Sequence, residues 1–148
     1  MMKKLFIPPV LVFISLIIIV LFYFLLPAYN WIAFPYNLFG ILFIFTGFII
    51  SGKTRDLFDK YNTTLGFGKS SCLITEDIFS KTRNPMYIGM FLFLFGLSIC
   101  FMNIFSILTS IVFILFVRIC FIPVEEKLLF EEYGCEYETY KQNVNRWI

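Results

Sequence analysis

The chain has 148 residues, of which 59% are hydrophobic and only 15% charged, with 21 Phe and a net charge of +2. A soluble domain carries about 25% charged residues, so the deficit points to lipid as the solvent, and the length suits one domain. The near-neutral balance leaves no electrostatic footprint for nucleic acid. The chain has no histidine, and the spacing of its four cysteines, Cys72, Cys100, Cys120 and Cys135, fits no metal-ligand pattern. The cysteines read as small hydrophobes, and no metal is expected.

Charge is absent between Leu5 and Gly52 and again between Asn84 and Val117. A hydrocarbon core excludes charge from such stretches. The first predicted span runs from Leu5 to Leu26. It comes after Lys3 and Lys4, is too long for a signal-peptide core, and precedes no A-x-A site, so it reads as a retained transmembrane helix. The connection Pro27–Pro35 is short and uncharged, with Tyr29 and Trp31 suited to an interface.

A second span is expected over Tyr36–Ser51. A long loop, Gly52–Asn84, then holds Lys53, Arg55, Lys60, Lys69, Lys81 and Arg83. Within it, Gly68-Lys69-Ser70 has the end of a phosphate-binding loop, but the glycine required five positions earlier is Thr63, which excludes that motif. The third span is expected over Pro85–Met102 and the fourth over Phe105–Ile122, joined by a tight uncharged turn as a helical hairpin. The basic residues all fall on one side, which should be cytoplasmic. Both termini then lie on that side, as four spans require.

After Pro123 the chain is too polar to span. Apolar residues at Tyr133, Tyr137, Tyr140, Val144 and Trp147 fall at helical spacing. The pattern predicts an amphipathic helix against the cytoplasmic face or packed on the bundle, separated by Gly134 from a helix over Glu125–Tyr133. The expected fold is therefore all-α: a polytopic membrane bundle of about four transmembrane helices with a C-terminal amphipathic helix, as a single domain over residues 1–148.

Three features exceed what a structural bundle needs. In Arg83-Asn84-Pro85-Met86-Tyr87-Ile88-Gly89, Asn84 suits an N-cap and Pro85 the first helical position. That is either a capped helix start or, with Arg83 beside the free N–H groups, a place for an anion such as a ligand carboxylate. In Pro123-Val124-Glu125-Glu126, two carboxylates stand at the membrane exit. They are either solvated at a helix start or receive ribose hydroxyls or a positive charge. Arg118 is a functional candidate by its position within an apolar run, or it snorkels to the headgroups. If the helix continues through Pro123, Arg118 and Glu125, seven residues apart, share a face and can pair there.

These segments, with Lys127-Leu128-Leu129, Tyr133-Gly134-Cys135-Glu136-Tyr137-Glu138-Thr139-Tyr140 and Val144-Asn145-Arg146-Trp147, resemble the isoprenylcysteine carboxyl methyltransferases and their phospholipid methyltransferase relatives across Leu73–Ile148. The resemblance implies an integral membrane enzyme that binds S-adenosylmethionine at the cytoplasmic end of its last helices. It implies that Arg83, Asn84, Pro85, Tyr87, Gly89, Glu125 and Glu126 lie at or near the cofactor, and that Tyr137, Tyr140 and Arg146 close the pocket. It further implies a lipophilic or lipid-modified substrate reaching the site between helices.

The sequence departs from that pattern in two places. Asn84 stands where the family usually has His, and Asp77-Ile78-Phe79 where it has Gly-Pro-Tyr. Displacement at a sulfonium methyl needs mainly close, dry positioning, which supplies roughly 7–11 kcal/mol, so histidine is not essential. Glu126 or Glu125 can take the proton of an amine acceptor, and Glu126 and Arg118 are the catalytic candidates. The competing class is a non-catalytic membrane scaffold or small-molecule binder that keeps the fold. Abundant Phe, Ile, Lys and Asn suggest a bacterial inner membrane.

Overall fold

The computed structural model describes residues 7–31, 34–62 and 72–147. Lys3, Lys4 and the Gly68-Lys69-Ser70 segment lie outside them. The helices are α1 (Ile7–Leu25), α2 (Phe39–Lys60), α3 (Pro85–Cys100), α4 (Ile104–Phe116), α5 (Ile122–Tyr133) and α6 (Cys135–Asn143). No β-strand is present among the described residues, and the chain is an all-α membrane bundle.

Three helices are long and apolar enough to cross a membrane: Pro8–Leu25, Tyr36–Lys60 and the continuous run Ile104–Tyr133. The expected third span is shorter than its apolar run. α3 has 16 residues, roughly 24 Å at 1.5 Å per residue, because Met102 turns into the left-handed region with φ +61° and ends the helix before α4.

The second span differs the other way. α2 continues past Ser51 to Lys60 and takes up the first part of the expected loop. Charge ends the lipid-facing part of a helix without ending the helix. Arg55 and Asp59 pair one turn apart at 3.8 Å, and buried Leu57 seeds a small apolar cluster with Ile74 and Phe79 beyond the bilayer-like section.

The fourth span does not stop at Ile122 either. Val117–Phe121 forms a π-helical turn that joins α4 to α5. Such a turn opens the hydrogen-bond ladder by one residue, and Pro123, which has no N–H to give, follows one residue beyond it. Exposed Leu108, Val112, Leu115, Ile119, Val124 and Leu128 line one side of the joined helix. Their steps are four or three residues except Ile119 to Val124, which is five and spans the π turn. The turn thus keeps one apolar face in phase from α4 into α5.

The helices pack in the order α2, α3, α4, α1, with α2 and α3 the most closely matched pair. Gly40 and Gly47 of α2 meet Gly96 and Gly89 of antiparallel α3. A Cβ on Gly47 would lie 2.7 Å from the Gly89 carbonyl oxygen and 2.8 Å from the Phe93 amide nitrogen. Small residues of this kind let backbones touch where lipid gives no hydrophobic drive to helix pairing.

α1 is fixed to α4 by hydrogen bonds. The Ser106 hydroxyl donates to the Ile19 carbonyl at 3.1 Å. Fully buried Asn103 caps α4 by accepting from the Phe105 N–H at 3.0 Å. Its amide nitrogen donates to the Leu26 carbonyl at 2.9 Å and to Asn30 Oδ1 at 3.0 Å. The central cluster joins Ile19 of α1, Tyr87 and Leu94 of α3, Phe113 of α4, and Val117, Phe121 and Ile122 at the α4–α5 junction.

Beyond Gly134, where φ is +52°, the amphipathic helix is shorter than its pattern. α6 ends at Asn143 and Val144 is extended. The last carbonyls bond to the segment before α3 instead of continuing the helix.

Candidate functional site

The charged end of the bundle gathers residues from four places. Asn84-Pro85 begins α3, Glu125 lies in the first turn of α5 with Glu126 directly after it, α6 brings its tyrosines, and the tail adds Arg146. Pro85 fits the first turn because its missing N–H has no helical partner to lose. Asn84 occupies the N-cap position without a side-chain cap bond. Its amide nitrogen donates to the Arg146 carbonyl at 3.3 Å.

Glu126 is the hub. Arg83 Nη1 donates to its Oε1 at 2.8 Å. Arg146 grips it as a fork, Nε to Oε1 at 3.0 Å and Nη2 to Oε2 at 2.6 Å. The Arg83 and Glu126 side chains are only 10% and 15% exposed, so both charges depend on this pairing to offset lost hydration. Arg83 also donates to the Tyr137 hydroxyl at 3.4 Å. Its Nε is buried and has no partner among the described residues.

Glu125 faces another way, as adjacent helical residues must. The Tyr87 hydroxyl donates to its Oε1 at 2.7 Å. Its second oxygen has no partner among the described residues. The Tyr140 hydroxyl donates to the Phe79 carbonyl at 2.7 Å. Burial raises the Tyr137 phenol above its ordinary value, with Arg83 opposing and Glu126 adding to the shift. Burial also raises Tyr140, with Arg83 opposing.

Of the candidate residues in the sequence, Arg83, Asn84, Pro85, Tyr87, Glu125, Glu126, Tyr137, Tyr140 and Arg146 come together here. Two do not. Gly89 faces Ser51 and Gly47 of α2, where its missing side chain serves helix packing. Arg118 is exposed on the π turn and makes no ion pair among the described residues. The π turn rotates α5 relative to α4, so Arg118 and Glu125 do not meet, and Glu125 bonds to Tyr87.

Thr82 is not among those candidates, yet it is fully buried at the centre of the cluster. Its hydroxyl donates to the Arg146 carbonyl at 2.9 Å and accepts from the Asn84 N–H at 3.3 Å. A threonine beside Lys81 and Arg83 carries no pattern that marks it.

The arrangement offers an unpaired buried guanidinium N–H, a half-satisfied carboxylate and two phenol rings within one charged end. Such a donor set suits a ligand that carries both signs of charge and an aromatic group.

No curated protein and no solved structure matches the chain. A model of the phospholipid methyltransferases matches residues 35–136. The match begins after α1, takes in α2 to α5 and ends at the start of α6, so it contains Arg83, Tyr87, Glu125 and Glu126 and leaves out Tyr137, Tyr140 and Arg146. It covers more than half of the chain, which therefore belongs to the phospholipid methyltransferase family.

Proposed function

We propose that this protein transfers a methyl group from S-adenosylmethionine to the carboxylate, amine or thiol of a lipophilic acceptor, with the charged end of the bundle cytoplasmic. The observation that carries the reading is the convergence, within the family match, of Arg83, Tyr87, Glu125 and Glu126 at one end of the bundle.

The residues present fit the cofactor. The unpartnered Arg83 Nε can donate to its carboxylate. The free oxygen of Glu125 can accept from a ribose hydroxyl or face positive charge. Tyr137 and Tyr140 offer rings to an aromatic base. When bound, S-adenosylmethionine supplies a methyl group on a sulfonium, already a good leaving group.

The chain's own residues then divide the work. Glu126, with both oxygens held by arginine, positions Arg83 and Arg146. Glu125 keeps an oxygen free and is the better placed of the two to take the proton of an amine acceptor. Tyr87 orients Glu125. Arg118, on the outer flank, serves the headgroup level through its snorkelling side chain.

The test is calorimetric titration of the detergent-purified protein with S-adenosylmethionine. Wild type should bind, and Glu125→Gln should bind more weakly. A folded wild type that shows no binding sinks the reading. That outcome would favour a non-catalytic member of the family, a view that draws on Asn84, whose amide is committed to the Arg146 carbonyl.

A further inference from the structure

The groups best suited to a charged ligand are covered. The Arg83 side chain is 10% exposed and that of Glu126 15%, while Tyr137 is 2% exposed. A polar cofactor comes from water, because crossing hydrocarbon with unpaired charge is too costly. Something over Arg83 has to move.

The covering elements differ in how they are held. α5 is the continuation of α4, joined through the buried residues Val117, Phe121 and Ile122. The segment before α3 is anchored by Phe79 and Ile78 in the small cluster with Leu57 and Ile74. The segment 135–147 buries the rings of Tyr137 and Tyr140, which belong to neither apolar cluster, and is otherwise held mostly by polar contacts. The Asn145 carbonyl accepts from the Arg83 N–H at 3.0 Å. The Arg146 carbonyl accepts from Thr82 and Asn84, its guanidinium grips Glu126, and Tyr140 donates to the Phe79 carbonyl. Trp147, leaning on the central cluster, is its apolar anchor at the tail.

The neutral hydrogen bonds among these contacts can be replaced by water when the segment lifts, because each is worth little net of solvation. Elements whose buried rings lie outside the main apolar clusters, as those of α6 do, open before the core itself. The joint to α5 is Gly134, with φ +52° and open space where a side chain would sit. The other joint is the extended residue Val144.

We propose that residues 135–147 form a strap, hinged at Gly134 and pinned by Thr82, that lifts to let the charged cofactor reach Arg83 and Glu125 and then closes over it. The proposal rests on the cofactor reading above. Thr82 acts as a positioning residue. Its hydroxyl ties the Arg146 carbonyl to the Asn84 N–H, so it couples closure of the strap to the start of α3.

Hydrogen–deuterium exchange on the full chain, with and without S-adenosylmethionine, reads the strap directly. Without ligand, peptides from 136–147 should exchange at least about tenfold faster than those of α5, and saturating S-adenosylmethionine should slow them. Thr82→Val should raise the association and dissociation rate constants of S-adenosylmethionine together, by about fivefold to tenfold, with a smaller change in affinity. Tyr140→Phe, which removes the bond to Phe79 and keeps the ring, should act the same way should Thr82→Val fold poorly. Strap peptides as slow as α5, or unchanged rate constants in a folded variant that still binds, overturn the strap and leave the cofactor reading standing. No binding by folded wild type overturns both.

Discussion

Glu126 sits between two guanidinium groups while its neighbour Glu125 meets a phenol, and the two carboxylates accordingly answer differently to mutation. Removing one member of a buried ion pair costs about 3–5 kcal/mol, because a charge is left without its partner. Glu126→Ala should therefore lower thermal stability strongly. Arg146→Ala, at a side chain 33% exposed, should lower it less. A double-mutant cycle on melting should show coupling between the two residues, and additive losses would contradict the hub. Tyr87→Phe should leave the bundle folded and weaken S-adenosylmethionine binding by about tenfold, from the loss of one hydrogen bond to a charged group worth about 1.5–3 kcal/mol. Unchanged affinity would show that Tyr87 does not orient Glu125. Much of this cluster is legible in the sequence: Arg83-Asn84-Pro85 and Glu125-Glu126 stand out as chemistry, and the hairpin places them at one depth. Their partners are not legible. Arg83 and Glu126 are 43 residues apart, and two adjacent glutamates give no sign of which one turns toward the arginines. Thr82 escapes notice because a single hydroxyl has no period and no motif.

At the level of elements, a helix boundary drawn where charge begins tracks lipid contact rather than helix length. It ends α2 nine residues early, at Ser51 against the observed Lys60. It also ends the fourth span at Ile122, although the π turn carries the helix on to Tyr133. The pairing of α2 with α3 is equally hidden. Gly40, Gly47, Gly89 and Gly96 reveal their purpose only once the two helices are antiparallel. Gly47→Ala should destabilise the bundle by about 1–3 kcal/mol through overpacking and leave the residues of the charged end intact. A lower melting temperature with normal ligand affinity in the folded fraction is the expected result. The strap should respond to alkali. Tyr137 and Tyr140 have phenols raised above the ordinary value of 10.0 by burial. Above that value an unfolded strap loses protons that the closed one keeps, so closure is full below about pH 10 and weakens as pH rises beyond it. Phenolate absorbance tracked beside exchange of peptides 136–147 should show ionisation and opening together.

Across the whole molecule, the family match and the fold do not share a boundary. α1 lies before the matched residues 35–136, yet Ile19 is fully buried in the same cluster as Tyr87. The first helix thus completes the core on which the charged end rests. Ile19→Ala should cost about 2–5 kcal/mol of stability with a smaller effect on ligand affinity than Tyr87→Phe. A reversed order in melting and calorimetry would give α1 a direct part in the site.

The unbroken run Ile104–Tyr133 spans 30 residues, roughly 45 Å at 1.5 Å per residue, against a hydrocarbon core of roughly 30 Å. Its lower end is tied to α1 through Asn103, and Glu125 and Glu126 lie about three-quarters of the way along it. The helix is therefore a ruler. On the proposed function it would hold the carboxylates at the height where a lipid headgroup can meet a ligand from water. On the same reading, bilayers of shorter or longer acyl chains should shift that height relative to the headgroup layer, so the methylation rate should depend on membrane thickness as well as on headgroup chemistry.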